Sequence, residues 1–470
     1  MNDLIMALTP HQDEIFNHIL DFFQKRDEQI CILNGPAGVG KTFLISHLAN
    51  ELLDSNHEVC LLTPTGRAAR ILSQYTSLQA QTIHSYIYAL EQFISDDEDS
   101  KNHAASSKKK KYRLHFKLRL PDLKGNKFYI IDESSMIGNH ATASFATFGS
   151  GRLLEDLLYV CNGSKILFCG DPFQLRPVGD PNLPAMDEAW FKERGYPVCS
   201  FSLKEVIRHA EDSGILELAG RLRSMQNHLP DGKMPYLPAR DLSGVHLISD
   251  NKMLYTYFDY LRRSGFHRTI AIAHTQKHCR YINDRIRALR FGFTSMPLLP
   301  GDILIVTQNN QLYPLYNGDF VEVIEVGESH TYCQISFVPI RVKTLAENNE
   351  FDILFCDEII KSGLQNLTIE QQHDLLVDFM IRCKKKGLDP EEREFIAELR
   401  KDPYLNSLRA TYGYAITCHK AQGGEWDHVF MFLNPFMGKM GASDLVRWFY
   451  TATTRAKKDL FINMDSTWIV

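Results

Sequence analysis

Between the apolar run Ile30-Cys31-Ile32-Leu33 and an apolar, helix-spaced stretch from about Phe43 to Leu53 lie eight residues, Gly35-Pro36-Ala37-Gly38-Val39-Gly40-Lys41-Thr42. Strand, glycine-rich turn and helix in that order leave few folds open to a chain. The glycines let backbone N–H groups close around phosphate oxygens at a helix N-terminus, where the helix dipole adds to the attraction. Lys41 then reaches the β- and γ-phosphates, and the Thr42 hydroxyl takes a magnesium ion. The pattern predicts a P-loop in an α/β domain, with a nucleoside triphosphate as ligand.

A chain of 470 residues exceeds one ordinary core, so about two to four domains are expected. No apolar stretch is long enough to span a bilayer, and Met1 to Leu8 carries Asp3 and lacks a basic segment. Neither a membrane span nor a signal peptide is expected, and a cytoplasmic location follows. The ten cysteines form no CxxC pairs, which predicts reduced, mostly buried thiols and no zinc site. A net charge of −5 does not advertise a polyanionic partner. A basic track on an acidic body is nevertheless enough for nucleic acid, because affinity follows the local count of phosphate contacts.

Short apolar runs ending at Leu33, Ile131 and Cys169 each give way to polar, Gly-containing or acidic turns, as buried parallel strands do. Residues 1–195 therefore read as one P-loop domain, interrupted by an insertion at about 85–126. Within the insertion, Tyr112, Leu114, Phe116, Leu118 and Leu120 alternate with Arg113, His115, Lys117 and Arg119, which predicts a strand with one apolar and one cationic face. A solvated outer face and a face turned to nucleic-acid phosphates both fit that pattern. Residues 196–300 and 409–470 read as a second α/β domain, with the buried strand Thr269 to Ala273. Short β runs separated by Gly and Asn at 301–345 suggest a small barrel. Residues 346–408 turn charged and helical, with a helix opening at Thr368.

Phe128-Tyr129-Ile130-Ile131-Asp132-Glu133 places two carboxylates at the end of an apolar strand. After a P-loop, Asp132 is expected to hold magnesium through water and Glu133 to orient and deprotonate the attacking water. A third strand ends in Cys169-Gly170-Asp171-Pro172-Phe173-Gln174, and Gln174 can bridge a γ-phosphate and a second ligand.

In motif order the chain resembles the superfamily 1 helicases, and within them the RecD/Dda-like 1B branch. Leu8-Thr9 with Gln12 is similar to the Q motif, Gly35 to Thr42 to motif I, Thr63-Pro64-Thr65-Gly66-Arg67 to motif Ia, and Thr82-Ile83-His84-Ser85 to motif Ib. Asp132 to Ser135 resembles motif II, Gly170 to Val178 motif III, Tyr414 to Glu425 motif V, and Tyr450 to Ala456 motif VI; Leu203 to Arg208 resembles the segment with the first arginine finger.

The resemblance implies two RecA-like domains, a hairpin-type insertion in the first and an SH3-like β plus helical insertion in the second. It implies ATP and Mg2+ as cofactors, held by Gln12, the P-loop, Asp132, Gly424 and Glu425. Lys41, Glu133, Gln174, Arg208 and Arg455 would be catalytic, the two arginines coming from the second domain. One grip on nucleic acid would use Thr63, Pro64, Thr65, Arg67 and His84, the other Thr417, His419 and Lys420. The implied activity is ATP-driven 5′ to 3′ movement of a monomer on single-stranded DNA and at single-strand/duplex junctions, the 85–126 insertion splitting the duplex and Phe116 or another of its aromatics as the wedge. A nucleotide switch acting on a protein partner and an RNA-directed helicase are the other readings.

Overall fold

The computed structural model describes residues 8–25, 27–95, 112–121, 127–141, 146–204, 213–229, 234–292, 297–389, 393–464 and 468–469. The apolar runs become strands of two parallel sheets. The first has six strands in the order Gln81–Thr82, Glu58–Thr63, Lys127–Ile131, Lys165–Gly170, Ile30–Asn34 and Val198–Ser202. Alternation along each strand fills a core on both faces. Ile30 and Ile32 join Tyr129, Ile131 and Phe168 on one side, while Cys31 and Leu33 join Ile130, Leu167 and Cys169 on the other. The register sets Leu33 opposite Cys169 and Ile131 opposite Phe168, so the turns after these strands open side by side at one sheet edge.

The second sheet has five parallel strands, in the order Val245–Ile248, Ala456–Asn463, Trp426–Phe432, Thr269–Ala273 and Ala415–Thr417. Ile270 and Ile272 pack with Val429 and Met431 on one face, Ala271 and Ala273 with Phe430 and Phe432 on the other. Ala273 lies opposite both Thr417 and Phe432, which brings three further loops to a common edge.

Two smaller sheets complete the molecule. Tyr88–Ser95 and Tyr112–Leu118 form an antiparallel pair, and Ala146–Phe148 adds a strand parallel to the second. His330–Tyr332, Ile335–Thr344, Phe320–Val326, Ile303–Val306 and Ala410–Tyr412 form an antiparallel sheet, with Glu350–Phe355 paired to Ile335–Thr344. The helix Ile369–Lys385 opens with the expected Thr368, which forms a reciprocal capping box with Gln371. Leu376, Phe379 and Cys383 of that helix and Phe395 and Leu399 of the next enclose a small core, and Leu90 of the antiparallel pair packs against it.

The structure corrects two boundaries. Strand Val198–Ser202 pairs with Ile30–Asn34, so the first sheet continues past residue 195; the sequence there lacks a long apolar run to mark it as an edge strand. The small β unit draws in Glu350–Phe355 and Ala410–Tyr412, so 346–408 is not wholly helical and 409 does not begin a purely α/β segment.

Candidate nucleotide and strand-binding cleft

Gly38 and Gly40 take φ values of 85° and 75°, the left-handed region that glycine adopts without strain, and helix Lys41–Asp54 starts directly after Gly40. The Lys41 ammonium donates to the carbonyls of Gly35 at 2.7 Å and Pro36 at 3.0 Å, which holds it over the mouth of the loop. Gln12 is buried, donates through Nε2 to the Val39 carbonyl at 3.1 Å and accepts from the Thr9 N–H. It therefore braces the P-loop, whereas the sequence reading has it contacting the nucleotide.

Thr42 Oγ1 donates to Asp132 Oδ2 at 3.2 Å, and the Glu133 N–H donates to Asp132 Oδ1 at 2.8 Å. Asp132 is buried, and desolvation raises its pKa. Glu133 sits at φ 53°, a left-handed conformation that costs a non-glycine residue of order 1 kcal/mol and marks a constrained site. Burial, followed by the neighbouring Asp132 charge, pushes the Glu133 carboxyl up to about 7, while the charges of Arg455 and Lys41 pull it back down. Cations from both ends of the chain thus act on one carboxylate.

The wall facing the P-loop comes from helix Ala442–Thr453 and the residues after it. Arg455 is buried and donates to Thr451 O, Gly424 O and Thr454 Oγ1 at 3.0–3.2 Å, which fixes its guanidinium. Tyr450 donates to Asp171 Oδ2 at 2.6 Å and accepts from the Ala37 N–H at 3.1 Å, joining the P-loop, the end of strand Lys165–Gly170 and this helix. The Gln174 segment is fastened by its backbone: Arg447 donates to the carbonyls of Pro172 and Gln174, and the Leu175 N–H donates to Thr451 Oγ1. The Gln174 side chain is buried, and its Oε1 has no hydrogen-bond partner among the described residues. Arg208 lies outside the described residues. Glu425 pairs with Lys457 at 3.6 Å, and the Gly424 carbonyl accepts from Arg455 at 3.2 Å.

Thr63 is buried and donates to Thr65 O at 2.8 Å, and Thr65 in turn caps helix Gly66–Tyr75, with Pro64 half-buried between them. His84 is exposed, 5.5 Å edge-on from the Phe148 ring, and its apolar surroundings lower its pKa. Thr417 caps the short helix Cys418–Ala421 without a side-chain bond, leaving its hydroxyl uncommitted to the cap. His419 is half-buried, and its pKa is lowered by burial.

Two cationic members of the expected grips have partners within the chain. Arg67 stacks 4.7 Å from the Trp426 ring and 5.7 Å from Phe320, with desolvation lowering its pKa to about 10. Lys420 donates to Gln365 Oε1 at 2.5 Å, and desolvation lowers its pKa to about 8, so it ties the second sheet to the helical insertion. Neither partner is legible in the sequence, because burial of a Lys or Arg stem leaves no local pattern.

The AAA domain family model matches residues 7–229, and the UvrD-like helicase C-terminal domain model matches 412–462. The ATP-dependent DNA helicase dda of Enterobacteria phage T4 is 24% identical over 97% of this chain and 98% of its own length. In these matches the chain is similar to superfamily 1B DNA helicases. The ATP-dependent RecD2 DNA helicase of Deinococcus radiodurans is 23% identical over 93% of this chain and 47% of its own length. An uncharacterized Methanocaldococcus jannaschii protein, MJ1519, is 24% identical over 93% of this chain, which spans 37% of it. Among solved structures, Bacteroides Pif1 bound to ssDNA has the same fold, with a TM-score of 0.51 at 16% identity, covering 99% of this chain and 94% of that one.

One feature of the second sheet escaped sequence reading. Strand Thr269–Ala273 is followed two residues on by Thr275, which caps helix Gln276–Phe291, the same spacing that separates strand Glu58–Thr63 from the Thr65 cap. A Thr two positions past a buried strand is the signal that would have found it.

Proposed function

We propose that this protein is an ATP-dependent DNA helicase that moves 5′ to 3′ along single-stranded DNA. The observation that carries the reading is the meeting of the P-loop with the wall that holds Arg455, joined by Tyr450 through Asp171 and the Ala37 N–H. A γ-phosphoryl group passing to water develops charge that one P-loop lysine cannot neutralise, and a buried arginine from the opposite wall supplies the rest. Lys41 would bind the β- and γ-phosphates, and Gln174 the γ-phosphate through its buried amide. Glu133, near neutrality, would take the proton of the attacking water. Arg208 is proposed as a second trigger arginine.

Thr42 and Asp132, a hydroxyl and a carboxylate already 3.2 Å apart, suit a hard divalent ion such as Mg2+. No group of three His, Cys, Asp or Glu able to hold a metal occurs among the described residues, which fits an ion completed by phosphate and water. Such an ion would neutralise charge on the bridging oxygens. Thr63, Thr65 and His84 on one side and Thr417 and His419 on the other offer hydroxyl, imidazole and backbone contacts that carry no base code, so binding would be sequence-tolerant and salt-sensitive. The relatives named as DNA helicases and the solved structure named as bound to ssDNA support DNA as the track.

The deciding experiment is unwinding of matched duplexes with a 5′ or a 3′ tail, using the intact chain and Lys41→Ala. Opening of the 5′-tailed duplex only, with ATP and by the intact chain only, is expected. Preference for the 3′ tail overturns the direction. A nucleotide-independent grip with no unwinding overturns the motor and favours a switch, and stronger ATPase stimulation by RNA than by matched DNA overturns the choice of track.

A further inference from the structure

At the strand-end edge of the second sheet, two exposed aromatic side chains stand beside the Thr417 and His419 loop. Phe436 is 70% exposed and Tyr281 51% exposed. Phe436 belongs to the tight turn Pro435–Lys439, which follows strand Trp426–Phe432; Tyr281 lies on helix Gln276–Phe291, which follows strand Thr269–Ala273. Since Ala273 is opposite both Thr417 and Phe432, the Phe436 turn, the helix that carries Tyr281 and the His419 loop follow adjacent strands at one sheet edge, with Tyr281 lying inside its helix. The His274 imidazole is close enough to bias the titration of both His278 and His419.

The turn that presents Phe436 is fixed from several directions. Asn434 Oδ1 accepts from the Phe436 N–H at 3.0 Å, its Nδ2 meets His278 Nδ1 at 3.1 Å, and its carbonyl accepts from Trp468 Nε1 at 3.0 Å. Met437 is buried in the core of the second sheet. A turn so anchored has a reason to turn a phenylalanine inward, yet it holds this one out to water. Each exposed ring also has its own cation: Lys439 lies 5.7 Å from the Phe436 centroid and Arg285 5.7 Å from that of Tyr281, while His278, bonded to Asn434, is 6.5 Å from the Tyr281 ring.

Rigid exposed rings flanked by cations are what a nucleobase and its phosphate require, the ring supplying a stacking plane and the cation a partner for the backbone. We propose that Phe436 and Tyr281, with Lys439 and Arg285, form a shelf on which bases of the single strand stack as it passes the second grip. This rests on the single-strand reading above and adds to it a stacking contact that the Thr and His grips lack.

The test is equilibrium binding, by fluorescence anisotropy, of the full chain and of the Phe436→Ala/Tyr281→Ala double variant to oligothymidylate. The strand is used intact and with a two-nucleotide abasic window moved along it, over a range of salt concentrations. The intact chain is expected to lose about tenfold in affinity at one position of the window, and the double variant to lose about tenfold on the intact strand and to be indifferent to the window. The slope of log affinity against log salt is expected to be the same for both proteins, since stacking releases no counterions. Lys439→Ala is expected to flatten that slope by about 0.7. Phe436→Trp combined with Tyr281→Ala is expected to restore part of the window effect lost in the double alanine variant, which guards against loss of folding. Equal affinities and equal window profiles for the intact chain and the double variant overturn the shelf while leaving single-strand binding standing. Failure of the intact chain to bind any single strand overturns both.

Discussion

The two walls of the cleft are built on different terms. On the P-loop side Lys41 is held by Gly35 and Pro36, and Asp132 by Thr42 and the adjoining Glu133 N–H, while Asn34 Oδ1, Ser135 Oγ and Gln174 Oε1, at the ends of neighbouring strands, are buried without hydrogen-bond partners among the described residues. On the opposite wall Arg455 meets three acceptors, and Tyr450 reaches across to Asp171 and the Ala37 N–H. A buried polar atom without a partner costs about 1–3 kcal/mol, so bare atoms beside the P-loop are retained where something is gained by it. The comparison teaches that the first wall keeps polar atoms open for ligand, whereas the second is fastened within itself and to the first.

Substitutions on each wall test that contrast. Glu133→Gln removes the proton acceptor of the first wall and is expected to lower kcat for ATP about 10²–10⁴-fold with little change in nucleotide affinity, checked by single-turnover hydrolysis. Arg455→Ala is expected to cost about 10³-fold in strand-stimulated hydrolysis while basal binding of ATP persists, and Arg455→Lys to give little rescue because three separate donors are used. A loss in ATP affinity equal to the loss in rate would mean that the second wall acts on the ground state, and the contrast would fail.

Smaller effects sharpen it. With the Glu133 pKa near 7, the single-turnover rate of the free enzyme is expected to rise with pH through that region, because the carboxylate must be ionised to take a proton. The linkage to stability has the opposite sense. A carboxyl whose folded pKa is raised favours the folded state while protonated, and that advantage is lost as pH rises from about 4.5 to about 7. Glu133→Gln is therefore expected to raise the unfolding midpoint at pH 8 relative to the parent and to leave it unchanged at pH 4, measured by calorimetry. The smallest expected effect belongs to Gln365→Ala, which takes away the acceptor for Lys420: a few-fold loss in duplex opening with strand-stimulated ATP hydrolysis nearly unchanged.

Legibility in the sequence follows the range over which each feature is encoded. The P-loop, the Asp132-Glu133 pair and the parallel strands that carry them are written in consecutive residues, so their positions could be read directly. The chain-order correspondence placed Arg455 and Gln174 near the phosphates, but nothing local disclosed that Arg67 is sandwiched by Trp426 and Phe320, or that Lys420 is claimed by Gln365. Those partners lie hundreds or tens of residues away and meet only through packing. Strand Val198–Ser202 was missed for a related reason, since an edge strand needs no long apolar run. Arg208 and the loop between the two strands of the antiparallel pair fall outside the described residues.

Gly66 adds a last consequence. A methyl group at its Cα would stand 2.3 Å from the Tyr316 side chain, and one helical turn further along Arg70 is paired with Asp319 at 2.8 Å. The helix beginning at Gly66 is thus pressed flat on the small β unit like the leaf of a door on its jamb. Gly66→Ala, by inserting a shim of one carbon, would prise that leaf from its jamb.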